Sequence, residues 1–240
     1  MANPYYQPGA ERPQRVRTLF EAIAPRYDLV NDVQSFGLHR WWKRRLVELA
    51  RVRPQGVALD LCCGTGDVTF ALAGAGAEAI GVDFSTAMLE VARSKMPGRN
   101  TRTTFVAADA LKIPLANSTC DVVTISYGLR NLADFEAGLR EMWRVAQPGG
   151  RLLVLDFGKP DFAPWRGLYF LYLRLAVPCF GWLFHRNSAA YSYILESLHH
   201  YPAQHGVAAV MNRLGCEEVR IITLLGGVMT INCGTKPGRV

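Results

Sequence analysis

From Val57 onward the chain alternates between two kinds of segment. Short apolar runs, VALDL, EAIGVDF, TTFVAAD, DVVTIS and RLLVLDF, are separated by DVTFALAGAG, TAMLEVARSKM and FEAGLREMWRVA, whose apolar residues recur at helical spacing. Strands joined through helices lie parallel, with helices on both faces of the sheet. Such crossovers are right-handed. The middle of the chain is therefore expected to be α/β, which excludes a β-sandwich and a helix bundle. Two further strands, CEEVRIITLL and GGVMTINCGTK, meet at Gly226-Gly227. A link that short permits an antiparallel hairpin and no helical crossover.

The flanks read differently. Residues 1–16 are proline-rich and lack the apolar stretch of a secretory signal, so they read as a flexible lead-in. Residues 17–52 read as a helical cap interrupted at Pro25. With 240 residues, half of them hydrophobic, the span 17–240 suffices for one domain carrying an insertion. That insertion, 160–202, is aromatic-rich, with Trp165, Tyr169, Phe170, Tyr172, Phe180, Trp182 and Phe184. Within it Leu168 to Phe184 is slightly short for a membrane span and contains Arg174 and Pro178, so it reads as a buried or interfacial helix. The net charge of +7 suits nucleic acid or an anionic membrane, yet apart from HRWWKRR at 39–45 it is dispersed. The six cysteines, at 62, 63, 120, 179, 216 and 233, lack zinc-site spacing, and the adjacent pair cannot easily bridge. Reduced thiols, a cytoplasmic setting and no metal are expected.

In VALDLCCGTGD the first strand ends on Asp60 and passes into a turn holding Gly64 and Gly66. Small residues there let a ligand approach the backbone. Asp83 ends the second strand, 23 positions on, where a carboxylate accepts from both hydroxyls of a ribose. Asp109 follows the third strand, placed to accept from an exocyclic adenine amine. A dinucleotide and S-adenosylmethionine both suit such a row of carboxylates. The dinucleotide fingerprint wants a third small residue and a helix start open to pyrophosphate. This chain instead has Thr69, and Asp67 beside that helix start. A cationic sulfonium without phosphate fits better.

At this point the sequence resembles the menaquinone/ubiquinone biosynthesis C-methyltransferase family, within the class I S-adenosylmethionine-dependent methyltransferases. YDLVNDVQSFGLHRWW is similar to the family's first signature at Tyr27, Asp28, Asn31, Ser35, His39 and Trp42. SYGLRN resembles its segment after strand four, RVAQPGGRLLVLDFGKP its second signature, and AAYSYILESLHHYP its stretch after the insertion. The likeness spans about Arg17 to Lys236. Departures occur at Val30, Gln34, Ala146 and Gln147, and at Asp156 and Gly158, where glutamate and serine are usual.

The resemblance implies a seven-stranded Rossmann-like sheet, mostly parallel with a C-terminal antiparallel hairpin, an N-terminal helical segment and a helical lid insertion. It implies S-adenosyl-L-methionine as methyl donor, held by Thr65 in the turn, Asp83 at the ribose, Asp109 with Ala110 at the adenine, and Ser126 after strand four. The acceptor it implies is a ring carbon of a polyprenylated quinol, demethylmenaquinol being the commonest, with a ubiquinone-type benzoquinol or another small molecule as alternatives. For ring activation Arg130 and Asn131 are expected to act, with Tyr27, Asp28 and His39 nearby. Arginine does not deprotonate, so Arg130 is expected to stabilise the phenolate while a carboxylate, His39 or water takes the proton. The lid is expected to shelter the isoprenoid tail. Peripheral contact of HRWWKRR with a membrane's inner face is a further expectation, and a homo-oligomer is compatible with the chain. No nucleic-acid partner is expected, since SYGLRN stands where base-amino methyltransferases carry an N/D-P-P-Y/W motif. A non-catalytic cofactor-binding scaffold is the reading from a different class.

Overall fold

In the computed structural model, which describes residues 12–96, 102–185 and 189–238, strand alternation is visible as a division of labour between two sheet faces. The strands are β1 (Val57–Leu61), β2 (Glu78–Asp83), β3 (Thr103–Ala107), β4 (Cys120–Ser126), β5 (Ala146–Phe157), β6 (Glu217–Leu224) and β7 (Met229–Thr235). They form one sheet in the order β3-β2-β1-β4-β5-β7-β6. The first five pair in parallel, whereas β7 runs antiparallel to both β5 and β6. The order reverses between β1 and β4, and ligands collect at such a switch point.

The helices are α1 (Arg12–Ile23), α2 (Tyr27–Ser35), α3 (Leu38–Ala50), α4 (Asp67–Gly74), α5 (Thr86–Ser94), α6 (Phe135–Val145), α7 (Ala163–His185), α8 (Ala189–His200) and α9 (Ala203–Arg213). Successive strand side chains point to opposite faces. Leu59, Leu61, Val123, Ile125, Leu152 and Val154 join Leu139 and Met142 of α6 and Val207 and Met211 of α9 in one buried cluster. Ala58, Val122, Leu153 and Leu155 join Trp42 and Leu46 of α3 and Val68 and Leu72 of α4 in another. The core is thus two apolar layers with the sheet between them.

Three boundaries differ from the sequence reading. Helix α1 starts at Arg12, inside the stretch read as lead-in, because Val16 and Leu19 pack against Phe20 and Phe84 and give it a buried stripe. Residues 1–11 lie outside the described residues. Strand β5 starts at Ala146, five positions earlier than expected, because Ala146 pairs with Cys120 across an irregular register. The hairpin link is a 3-10 turn over Leu225–Gly227. Pro25 sits in a 3-10 turn between α1 and α2, and Phe36 and Gly37 adopt left-handed backbone (φ 51 and 75) between α2 and α3. The cap is therefore three helices, of which α1 and α2 reach the carboxyl ends of the strands while α3 packs on a face of the sheet.

The insertion consists of α7 and α8. The side chains of Cys179, Phe180, Trp182 and Phe184, counted above among the cysteines and aromatics, lie outside the described residues. The cysteines at 62, 63, 120, 216 and 233 are free thiols.

Candidate active site

A cavity of about 460 Å³ opens at the carboxyl ends of β1, β2, β3 and β4. Its walls come from the turn after β1, from Val82, Asp83 and Phe84, from Ala107 to Leu111, and from Ser126 to Ala133 apart from Leu129 and Arg130. Helix α1 contributes Gln14, Arg17 and Phe20, and α2 contributes Tyr27.

Asp83 is the best-held carboxylate of this wall. Its Oδ2 accepts from the Gly64 N–H at 2.8 Å and its Oδ1 from the Ser85 N–H at 2.9 Å. Each oxygen keeps a second lone pair. Burial raises the Asp83 pKa, with the backbone hydrogen bonds opposing. Asp109 stays exposed, its Oδ1 accepting from the Leu111 N–H at 2.9 Å, and Ala110 beside it is buried. Gly64 and Ser126 complete the expected nucleoside wall.

Asp60, Thr65 and Gly66 serve the turn without lining the cavity. The Asp60 carboxylate is fully buried and accepts from the hydroxyls of Thr69 (2.8 Å) and Thr124 (2.9 Å). Gly66 has φ +84, and a β-carbon there would stand 2.9 Å from the Phe105 ring, so the turn closes only with glycine. Thr65 donates its hydroxyl to Asp28 at 2.6 Å. Lys95 bridges Asp28 (2.6 Å), the Thr65 carbonyl (3.1 Å) and Asp67 (3.4 Å), while Lys43 reaches Asp67 from α3 at 2.9 Å. These ion pairs clasp the cap to the turn. The sequence reading missed both lysines, because their partners lie 24 to 67 positions away.

The clasp also bears on the ligand. The start of α4, where a pyrophosphate would dock, carries Asp67 and is outside the cavity wall. The open space instead meets a ribose-type carboxylate and apolar side chains. An adenosyl group without phosphates fits these residues.

Of the residues expected at the acceptor ring, Tyr27 and Asn131 line the cavity, and Asp28, His39 and Arg130 do not. His39 is 3% exposed, its Nδ1 lies 2.9 Å from the Ser35 hydroxyl, and burial lowers its pKa, so the ring is neutral at pH 7. Arg130 is buried in an ion pair with Asp156 at 2.7 Å, and Asp156 also accepts the Arg130 N–H at 3.2 Å. The guanidinium donates to the Tyr127 carbonyl at 2.6 Å and lies 4.8 Å from the centre of the Phe157 ring. Asn131 donates to the same carbonyl at 3.0 Å. Tyr127 lines the cavity in left-handed backbone (φ 59). That conformation is costly for a non-glycine residue and tends to occur at functional sites. It has no signature in sequence. The serine usual at position 158 has no room here, since a β-carbon on Gly158 would stand 2.3 Å from the Gly227 carbonyl oxygen.

Asp60 makes the stability of the turn depend on pH. Burial lifts its pKa from 3.8 to about 7, opposed by the two threonine hydroxyls. The unfolded chain loses this proton near 3.8, so the folded state holds one more proton between about 4 and 7. Stability from this group is full below about pH 4 and is lost as pH rises through 7, a change of about 4 kcal/mol. Asp60→Asn, which cannot ionise, is expected to remove that part of the slope in urea melts between pH 4 and 8. An unchanged slope contradicts it.

Comparison with known proteins gives a consistent result. Residues 10–236 match the model of the ubiE/COQ5 methyltransferase family. A demethylmenaquinone methyltransferase of Corynebacterium urealyticum is 40% identical over 94% of this chain and 95% of its own. One of Thermus thermophilus is 41% identical over 91% of this chain and 100% of its own. The ubiquinone/menaquinone biosynthesis C-methyltransferase of Ectopseudomonas mendocina is 40% identical over 96% and 92%. Among solved structures, a methyltransferase of Thermotoga maritima dependent on S-adenosylmethionine superposes with a TM-score of 0.64 at 19% identity, over 91% of this chain and 99% of that one. Phosphoethanolamine N-methyltransferase 2 of Haemonchus contortus, bound to S-adenosylmethionine, gives 0.62 at 13%, over 82% and 52%. At such identities these two speak to the fold alone.

Proposed function

The chain belongs to the ubiE/COQ5 methyltransferase family, a family of S-adenosylmethionine-dependent enzymes, and from that premise we propose that it methylates a ring carbon of demethylmenaquinol. The observation that carries this reading is the cavity, whose wall holds Asp83 and Asp109 together with Tyr27 and Asn131.

S-adenosylmethionine, when bound, supplies an electrophilic methyl group. Asp83 is assigned to the ribose hydroxyls, Asp109 with Ala110 to the adenine edge, and Gly64 and Ser126 to the remaining polar contacts. Asp60, Thr65 and Gly66 hold the turn in shape from behind. Phe20, Phe84, Leu111 and Leu132 give the same space apolar walls. Alignment of acceptor carbon and methyl group in such a site supplies up to about 7–11 kcal/mol in ideal cases.

The acceptor also needs activation, because an aromatic carbon becomes a good nucleophile only when the adjacent hydroxyl loses its proton. Tyr27 is assigned as a hydrogen-bond donor to the resulting phenolate oxygen. Burial raises its pKa, with Lys43 and Asn31 opposing, so its hydroxyl stays protonated at neutral pH. Neutral donors aimed at a developing oxyanion stabilise it strongly in a water-poor site. Asn131 shares that wall. Arg130 acts at one remove, fixing the segment after β4 through Asp156 and the Tyr127 carbonyl. Asp28 works through the clasp, and His39, packed against Ser35, positions α3. Neither reaches the cavity, so the proton passes to water. The inner side of the insertion 160–202, where α7 meets α8 and away from the solvent-exposed face of α7, is assigned to the prenyl tail.

The test is methyl transfer from a labelled donor. With purified protein, label is expected in the ring of reduced demethylmenaquinol and not in the oxidised quinone. Full activity on a quinone that cannot be reduced, or label entering RNA in place of the quinol, contradicts the reading.

A further inference from the structure

Between Asp161 and Glu196 the chain contains no acidic residue, yet it carries arginines at 166, 174 and 186. Helix α7 takes up 23 residues of this stretch. At about 1.5 Å per residue it is roughly 35 Å long. No described helix is long and apolar enough to cross a membrane.

Tyr169 and Leu173, one turn apart, are 5% and 3% exposed and belong to the core cluster with Leu198 and Tyr201. Away from them, Trp165, Leu168, Leu171 and Tyr172, with Phe162 just before the helix, are 38% to 69% exposed. Steps of three from Phe162 to Leu171, with Tyr172 four past Leu168, draw one band along the helix. Isolated exposed leucines are ordinary, but a contiguous row of large apolar side chains marks a surface that meets something. Leu225 extends the row, since the Trp165 indole N–H donates to its carbonyl at 3.1 Å and the Leu225 side chain is 49% exposed.

A second copy of the chain is a poor cover. A two-fold interface sets a patch against itself. Arg174, exposed beside the stripe, would then be brought to the interface with no carboxylate in the stretch to pair with. An anionic lipid surface satisfies both features. Apolar side chains sink to the acyl boundary, aromatic residues sit at headgroup level, and arginines bury their stems and reach the phosphates.

We propose that the outer face of α7, with Phe162 and Leu225, docks on an anionic lipid bilayer, lying in its surface without spanning it. The inner face of the same helix brings Tyr169 close enough to Arg130 and Asp156 to feel both charges. Tyr169 also shares the core cluster with Leu129, the residue before Arg130. Docking there would hold the enzyme at the surface in which a prenylated acceptor dissolves, a delivery role that rests on the quinol methyltransferase reading.

The test uses the full chain and vesicles of phosphatidylcholine, with or without phosphatidylglycerol, followed by sedimentation. The protein is expected to bind the anionic vesicles at least tenfold more tightly than the neutral ones. Leu168→Glu with Leu171→Glu is expected to lose at least tenfold in binding. The same variant should methylate a short-tailed soluble quinol within twofold of the parent, which also certifies its fold, while losing at least tenfold on a long-tailed quinol in vesicles. Should that variant fail to fold, Arg174→Glu alone is expected to abolish the preference for anionic lipid. A parent protein indifferent to vesicles overturns the proposal, as does a variant that binds equally well. A stripe whose substitution instead converts a dimer to a monomer overturns it in favour of a second copy. Vesicle binding without methylation of any quinol leaves the docking standing and sinks the functional reading alone.

Discussion

Arg130→Ala is expected to lower stability by about 3–5 kcal/mol and to cut turnover sharply while leaving affinity for S-adenosylhomocysteine within threefold. The stability loss follows from what remains behind. Asp156 is 2% exposed, and without the guanidinium its buried charge keeps only the Arg130, Phe157 and neighbouring backbone contacts. The turnover loss follows from geometry, because the guanidinium also fixes the Tyr127 carbonyl, which Asn131 shares. Cofactor affinity is spared because neither Arg130 nor Asp156 lines the cavity. Replacing both partners by apolar residues, Arg130→Met with Asp156→Leu, separates the two effects. The pair exchange is expected to recover most of the stability, since a buried ion pair is often worth no more than well-packed apolar side chains. It should not recover turnover. If the double variant is as active as the parent, Arg130 has no positioning role in catalysis. If Arg130→Ala loses cofactor affinity as fully as turnover, its role is only to hold the fold.

Asp83→Ala is the second large effect. Hydrogen bonds to a charged group contribute about 1.5–3 kcal/mol each. Two ribose hydroxyls on one carboxylate therefore account for about 3–6 kcal/mol, a 10²- to 10⁴-fold loss of affinity for S-adenosylhomocysteine. The variant also leaves the Gly64 and Ser85 N–H groups without their acceptor, loosening the turn that faces the ligand. Asp83→Asn, which keeps one carbonyl oxygen, is expected to fall between parent and alanine. Titration calorimetry on all three proteins reads the series directly. An affinity within threefold of the parent in Asp83→Ala contradicts the assignment.

Much of this arrangement was legible in the sequence because it is periodic or punctuated. Strand-helix alternation gave the sheet, the short link around Gly226-Gly227 gave the antiparallel β6–β7 pair, and carboxylates at strand ends gave Asp83 and Asp109 their places. What stayed hidden depends on partners remote in the chain. Nothing near Arg130 announces that Asp156, 26 positions on, neutralises it and draws it away from the cavity. Asp60 looks like Asp83 in the sequence, since both end apolar strands, yet Thr69 and Thr124 consume its carboxylate. His39 sits among functional-looking neighbours but packs against Ser35. The start of helix α1 escaped notice because Pro13 and a run of charges hide a stripe only two buried residues deep. Within HRWWKRR, Trp42 is buried while Trp41 is 45% exposed, a split that helical phase alone leaves open until α3 meets the sheet.

The central claim is that the space above β1, β2, β3 and β4 receives an adenosyl sulfonium and not a diphosphate-bridged coenzyme. Calorimetry of the parent protein with S-adenosylhomocysteine and, separately, with a reduced nicotinamide dinucleotide tests it most directly. Saturable heat with the first ligand and none with the second is the predicted result. Saturable heat with the dinucleotide alone contradicts the account.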